Sequence, residues 1–139
     1  MRAAWLLAGV VMWMTVVSAV TPPIKVIAHA DVKVSHLSSE DLRGVFLETK
    51  TSLADGSQVE PVLLKSGDVY AAFVRQYIGK TTAGLDSYYR SLVFAGKGAM
   101  PKAFASDAEV VAYVRSSKGA IGYVGAGTST DGVNVLDVK

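Results

Sequence analysis

Lys65-Ser66-Gly67-Asp68 is the segment of this chain whose residue types and order could do chemistry. It follows the apolar run Val59 to Leu64, and Tyr70, Phe73, Val74 and Tyr77 recur after it at helical intervals. A strand turning into a helix at this point leaves backbone N–H groups unpaired at the helix start, together with a partial positive charge. Gly67 lets a ligand approach the backbone closely, Ser66 offers a hydroxyl and Lys65 offers a cation. With Asp68 they make a candidate cradle for an oxyanion. The plainer alternative is that Ser66 only caps the helix and Gly67 only turns the chain.

Other chemistry finds little support. The chain has no Cys, which excludes disulfides, thiolate catalysis, Cys-ligated metal and a lipoprotein attachment site. Its two histidines, His29 and His36, lack a Cys or Glu pair at metal-ligand spacing, so no metal is expected. Ser66 has no His and Asp set that would make it a nucleophile. Glu40 and Asp41 are adjacent and read as acids favouring a helix dipole rather than as a catalytic pair. Gly96-Lys97-Gly98 lacks the full phosphate-loop pattern and reads as a turn. Tyr88, Tyr89 and Tyr123 read as core or rim residues. The expectation is a protein that is not an enzyme and carries no cofactor.

These residues need elements to position them, and 139 residues suffice for one domain with one core. Arg2, the apolar run Ala3 to Thr15 and the small residues up to Ala19 read as a secretory signal peptide, residues 1–19, ahead of a domain over residues 20–139. The alternative is an uncleaved anchor, since Ala3 to Val20 could just span a bilayer. Cleavage removes Arg2 and takes the net charge from +2 to +1. That balance leaves no footprint for nucleic acid, and no cluster of Lys or Arg suggests anionic lipid. The address is periplasmic.

Ile24 to His29 is β-rich and reads as the first strand. Ser38-Ser39-Glu40-Asp41 opens a helix in which Leu42, Val45 and Phe46 form one apolar stripe. Asp55-Gly56 is a turn signal before the strand Val59 to Leu64. Gly79 ends the helix that follows. Thr82 to Phe94 reads as a third helix, with Leu85, Tyr88 or Tyr89, and Leu92 facing inward. Ser106-Asp107-Ala108-Glu109 is a capping box for a helix running through Val114, with Gly119 as its C-terminal cap. Ala120 to Val124 and Val133 to Val138 read as strands. The alternation predicts an α/β fold, a mostly parallel sheet flanked by helices. In such sheets ligands sit at the carboxyl ends of strands, which singles out Leu64 to Asp68.

Taken in order, several segments resemble the phosphate-binding periplasmic proteins of ABC transporters and their short single-domain relatives. They are Leu37-Ser38-Ser39-Glu40-Asp41-Leu42-Arg43-Gly44-Val45-Phe46-Leu47, Asp55-Gly56, the strand into Lys65-Ser66-Gly67, and Phe73. Phe94-Ala95-Gly96-Lys97-Gly98 with Pro101 and Gly119-Ala120-Ile121-Gly122-Tyr123-Val124 complete the series. The resemblance covers Ile24 to Val124 and implies one lobe of a type II periplasmic binding protein-like fold. Full-length members clamp phosphate between two lobes, the second contributing an arginine and a Ser-Gly-Thr helix start. The matching positions here are Ser66 and Gly67, with Lys65 as the nearest cation and Asp68 where threonine is expected.

Asp68 sets a limit on affinity. At ~5 Å and an effective dielectric of about 20, two like charges repel by roughly 3 kcal/mol, falling below ~1 kcal/mol in an open, wet site. The expected function is therefore weak binding of phosphate or a related oxyanion at a helix start, with an ABC transporter permease or a membrane sensor as partner. The rival expectation is an interaction module without a ligand, which docks on a membrane partner or self-associates into a homo-oligomer through the face that a second lobe would cover.

Overall fold

The structure is a computed structural model and describes residues 22–139; the expected leader, residues 1–19, lies outside the described residues. Among the described residues six strands form one sheet in the order β2-β6-β1-β5-β3-β4. In chain order they are β1 (Ile24–Ala28), β2 (His36–Leu37), β3 (Glu60–Leu64), β4 (Lys102–Phe104), β5 (Ala120–Gly125) and β6 (Asn134–Val138). The helices are α1 (Ser39–Phe46), α2 (Asp68–Phe73), α3 (Thr82–Phe94) and α4 (Asp107–Ser116), and α2 continues into a π-helical segment, Val74–Ile78.

The α/β expectation is met, with a sheet that is mixed rather than uniformly parallel. β3 pairs in parallel with β4 and β5, and β2 with β6, whereas β1 runs antiparallel to both β5 and β6. The sequence carried no signal for β2 or β4. These strands have two and three residues and exist because a partner strand supplies their ladder.

β5 is buried on both faces, which explains its unbroken apolar run. Gly122 lies toward α4: a Cβ there would come within 2.8 Å of Val62 Cγ2 and 3.1 Å of Val110 Cγ1. Tyr123 points the other way and stacks on Phe73 of α2, ring centroids 3.7 Å apart, with Phe46 of α1 at 6.0 Å. One face of the sheet thus carries α4, and the other carries α1, α2 and, behind them, α3.

The helix starts follow the hydroxyl signals. Ser38 accepts from the Asp41 amide, Thr81 from the Gly84 amide and Ser106 from the Glu109 amide. Glu109 closes the capping box on the Ala105 amide at 2.9 Å. In α3 Leu85 and Tyr89 are buried, and the Tyr89 hydroxyl donates to the Phe46 carbonyl. Burial pushes the Tyr89 phenol well above its ordinary range.

Two expectations about the chain's turns need correction. α4 runs on to Ser116, and its C-cap is Ser117 with an extended backbone, not Gly119. Gly119 has φ +78, and it passes hard against the segment entering β3: a Cβ there would lie 2.4 Å from the Gln58 carbonyl oxygen. The apolar stripe after Gly67 also changes step. Phe73, Val74 and Ile78 are buried while Tyr70 and Tyr77 are half-buried, since the π segment widens each turn and brings i+5 where i+4 was expected.

Candidate functional site

The carboxyl ends of β3, β4 and β5 lie together because these three neighbours are parallel. The chain leaves β3 through Lys65-Ser66-Gly67 into α2, and leaves β4 through Ala105-Ser106 into α4. Two helix starts therefore meet one edge of the sheet. Their amides and dipoles make that edge locally favourable to negative charge.

The pairing of β3 with β5 runs through Glu60↔Ala120 and Pro61↔Ile121 and stops there. Beyond it the Tyr123 hydroxyl accepts from the buried Leu64 amide at 3.1 Å, so a side chain replaces the ladder. On the other side the Lys65 amide donates to the Phe104 carbonyl at 2.8 Å. The core aromatic and the edge strand together fix where the Lys65 to Asp68 segment begins. The same burial raises the Tyr123 phenol far above its usual range, so it stays a neutral hydroxyl.

All four candidate residues, Lys65, Ser66, Gly67 and Asp68, come together and are exposed. Ser66 does not cap α2. The N-cap is Gly67, with φ 101 and ψ 176 and no side-chain cap hydrogen bond. That backbone is one that glycine adopts freely, and nothing lies within 4 Å of where a Cβ would stand. Among the described residues no protein acceptor meets the amides of Ser66, Gly67, Asp68 or Val69, and no partner meets the Ser66 hydroxyl. The helix start is neither plugged by a carboxylate of the protein nor covered by packed side chains.

Near the start of α2 stands a group that sequence reading placed only within a capping box. Asp107, the first residue of α4, accepts through Oδ2 from the Gly125 amide at 3.0 Å and from the Thr128 hydroxyl at 2.8 Å. Val69 borders it, since a Cβ on Gly125 would lie 3.2 Å from Asp107 Oδ2 and 3.5 Å from Val69 Cγ2. Asp107 ties the loop after β5 to the start of α4. No local signal marks this role, because Thr128 lies 21 residues away in what reads as a flexible turn.

Other candidates are dispersed. His29 Nδ1 accepts from the Asp31 amide, and exposed His36 stands 3.3 Å from Asp137. Among the described residues no group of three or more His, Cys, Asp or Glu could hold a metal ion. A cleft of about 450 Å³ lies at the start of α3, lined by Ala71, Arg75, Gly79, Lys80, Thr81 and Thr82, and does not include the Lys65 to Asp68 segment.

No protein-family model matches the chain, and no curated protein matches it. Solved structures do. PstS from Borrelia burgdorferi superposes with a TM-score of 0.64 at 15% identity, over 85% of this chain and 47% of that one. A substrate-binding protein from Clostridium perfringens, assigned to phosphate ABC transport and solved with bound phosphate, gives 0.61 at 15% identity over 84% and 45%. An ABC-type phosphate transport receptor from Vibrio cholerae gives 0.56 at 13% identity over 84% and 46%. The chain spans about half the length of these neighbours, and the likeness is one of fold.

Proposed function

We propose that this protein is a periplasmic, non-enzymatic solute-binding domain that holds phosphate or a related oxyanion weakly at the start of α2. The observation that carries the proposal is the set of exposed, unpartnered amides from Ser66 to Val69, opened by Gly67 at the carboxyl edge of β3. The oxyanion takes those amides and the Ser66 hydroxyl, and Lys65 supplies the counter-charge. Asp68 and Asp107 stand nearby as carboxylates, which keeps the affinity low. The phosphate-binding neighbours support phosphate as the kind of ligand. On this reading the chain is exported behind a cleaved leader and serves a transporter permease or a membrane sensor. Among the described residues no helix is long and apolar enough to cross a membrane.

Titration calorimetry with phosphate and sulfate tests the proposal. The expected dissociation constant is of order 1 mM, a binding free energy near −4 kcal/mol. Ser66→Ala weakens binding about tenfold, the loss of one hydrogen bond to a charged group. Because Ser66 is not the cap, that variant keeps its stability within about 0.5 kcal/mol. Asp68→Asn strengthens binding about threefold to fivefold, by removing a screened repulsion. Absence of heat and of any thermal shift at ~10 mM of either anion, a tenfold excess over that constant, contradicts the proposal.

A further inference from the structure

Three cations that lie apart along the chain converge on the cleft at the start of α3. Arg75 and Lys80 line it together with Ala71, Gly79, Thr81 and Thr82. Arg43, from α1, reaches it beside Gly79: its Nη2 stands 3.9 Å from where a Cβ on Gly79 would lie. The π segment helps to gather them. The Gly79 amide donates to the Val74 carbonyl, five residues back, at 2.8 Å, and the wide last turn carries Lys80 round to the cleft that Arg75 lines. Gly79, at φ 74, then turns the chain into α3.

Among the described residues none of the three has a carboxylate partner. Neutral groups hold two of them instead. Arg43 Nε donates to the Tyr77 carbonyl at 3.4 Å, and the Lys80 ammonium lies 5.4 Å from the centroid of the Tyr88 ring. Such anchors position a cation without cancelling its charge. The one acid of α3, Asp86, is taken by Arg90. Arg43 and Arg75 are exposed, so the core does not place them. Like charges gathered in this way repel one another unless an anion joins them. The amides of Thr82 and Ala83 at the helix start add to the positive potential, and among the described residues they meet no protein acceptor.

We infer that this cleft binds a small organic phosphate monoester, its phosphate held by Arg75 and Lys80 with Arg43 beside them. A phosphate monoester is close to a dianion at neutral pH, and it matches three converging single charges better than one carboxylate does. The guanidinium fork of an arginine takes two of its oxygens at once. Size points to the organic part. The volume of about 450 Å³ falls in the range of small-molecule sites, about 300–1,000 Å³, and one phosphate ion fills only a small part of it. Ala71, the threonine methyls and the aliphatic stems of Arg75 and Lys80 offer the rest of the molecule an apolar wall. The Lys65 to Asp68 segment is not part of this cleft, so the inference stands apart from the proposal for the start of α2.

An amide-resolved NMR titration of the protein with phenyl phosphate tests this, in about 0.15 M salt to screen unspecific attraction. Saturable shifts are expected at Arg75, Gly79, Lys80, Thr82 and Ala83, with a dissociation constant of about 0.5 mM. Arg75→Gln and Lys80→Gln each raise that constant about tenfold, the loss of a hydrogen bond to a charged group. Arg75 is exposed and Lys80 half-buried, and circular dichroism checks that both variants fold. Ser66→Ala leaves the constant within about twofold, because Ser66 shares no partner with the cleft. Inorganic phosphate binds here at least about tenfold more weakly than the ester, and phenol does not saturate. No saturable shift from Arg75 to Ala83 by about 20 mM ester, roughly forty times the expected constant, overturns the proposal. So does a constant that neither glutamine variant changes, or one that inorganic phosphate or phenol matches. Saturable binding in the cleft while the Ser66 to Val69 amides stay silent to inorganic phosphate upholds this site and retires only the proposal for α2.

Discussion

Replacing Gly119 with alanine is expected to destabilise the protein by about 2–5 kcal/mol and to lower its Tm by ~10–20 °C. Two costs add. The backbone at φ +78 lies in the left-handed region, which costs an alanine about 1–2 kcal/mol. The new Cβ would also lie 2.4 Å from the Gln58 carbonyl oxygen, a backbone atom that cannot rotate away. Relief requires β5 to shift against the chain entering β3, at the point where the Glu60 amide donates to the Gly119 carbonyl at 2.8 Å. Overpacking of this kind costs roughly 1–3 kcal/mol. Gly56→Ala is the matched control. Its φ of +85 is equally left-handed, but nothing lies within 4 Å of the added methyl. It is expected to lose only the conformational part, about 1–2 kcal/mol. Urea melts of the two variants separate the terms, and equal losses would show that the close approach to Gln58 carries no energy.

Phe73→Ala is expected to cost about 3–5 kcal/mol and to disturb the proposed anion site as well as the core. Phe73 is fully buried between Tyr123, with ring centroids 3.7 Å apart, and Phe46, at 4.8 Å. The cavity left by its ring frees Tyr123, whose hydroxyl holds the Leu64 amide one residue before Lys65. Tyr123→Phe isolates that second link. It preserves the stacking but leaves the buried Leu64 amide without its acceptor, for a loss of about 1–3 kcal/mol. If chemical denaturation finds Phe73→Ala within ~1 kcal/mol of the parent, far below the cost of a buried ring, the aromatic cluster is not the centre of this core.

Much of the architecture was legible because its signals are local. Ser38 and Ser106 cap helices as their positions suggest, and β3 and β5 announce themselves as apolar runs. What escaped depends on tertiary partners. Lys102–Phe104 is a strand only because β3 lies beside it, and the antiparallel course of β1 has no trace in its own composition. The π segment defeats a strict helical stripe, since it buries Ile78 in place of Tyr77. The candidate site divides in the same way. The strand–Ser-Gly–helix junction could be read along the chain, and Gly67 stands at a helix start as expected. The plainer alternative, in which Ser66 only caps the helix, does not hold, because Gly67 at positive φ takes the capping position and leaves the hydroxyl free. Asp107 could not be found locally, for its partners are Gly125, at the end of β5, and Thr128, in the loop after it.

The central claim is that the free amides at the start of α2 receive an oxyanion. An amide-resolved NMR titration of the protein with inorganic phosphate addresses it most directly. The account predicts saturable shifts largest at Ser66, Gly67, Asp68 and Val69, with smaller ones at the neighbouring Gly125 and Thr128. Shifts centred on Arg75 and Lys80 instead, or none at any amide from Ser66 to Val69, would contradict it.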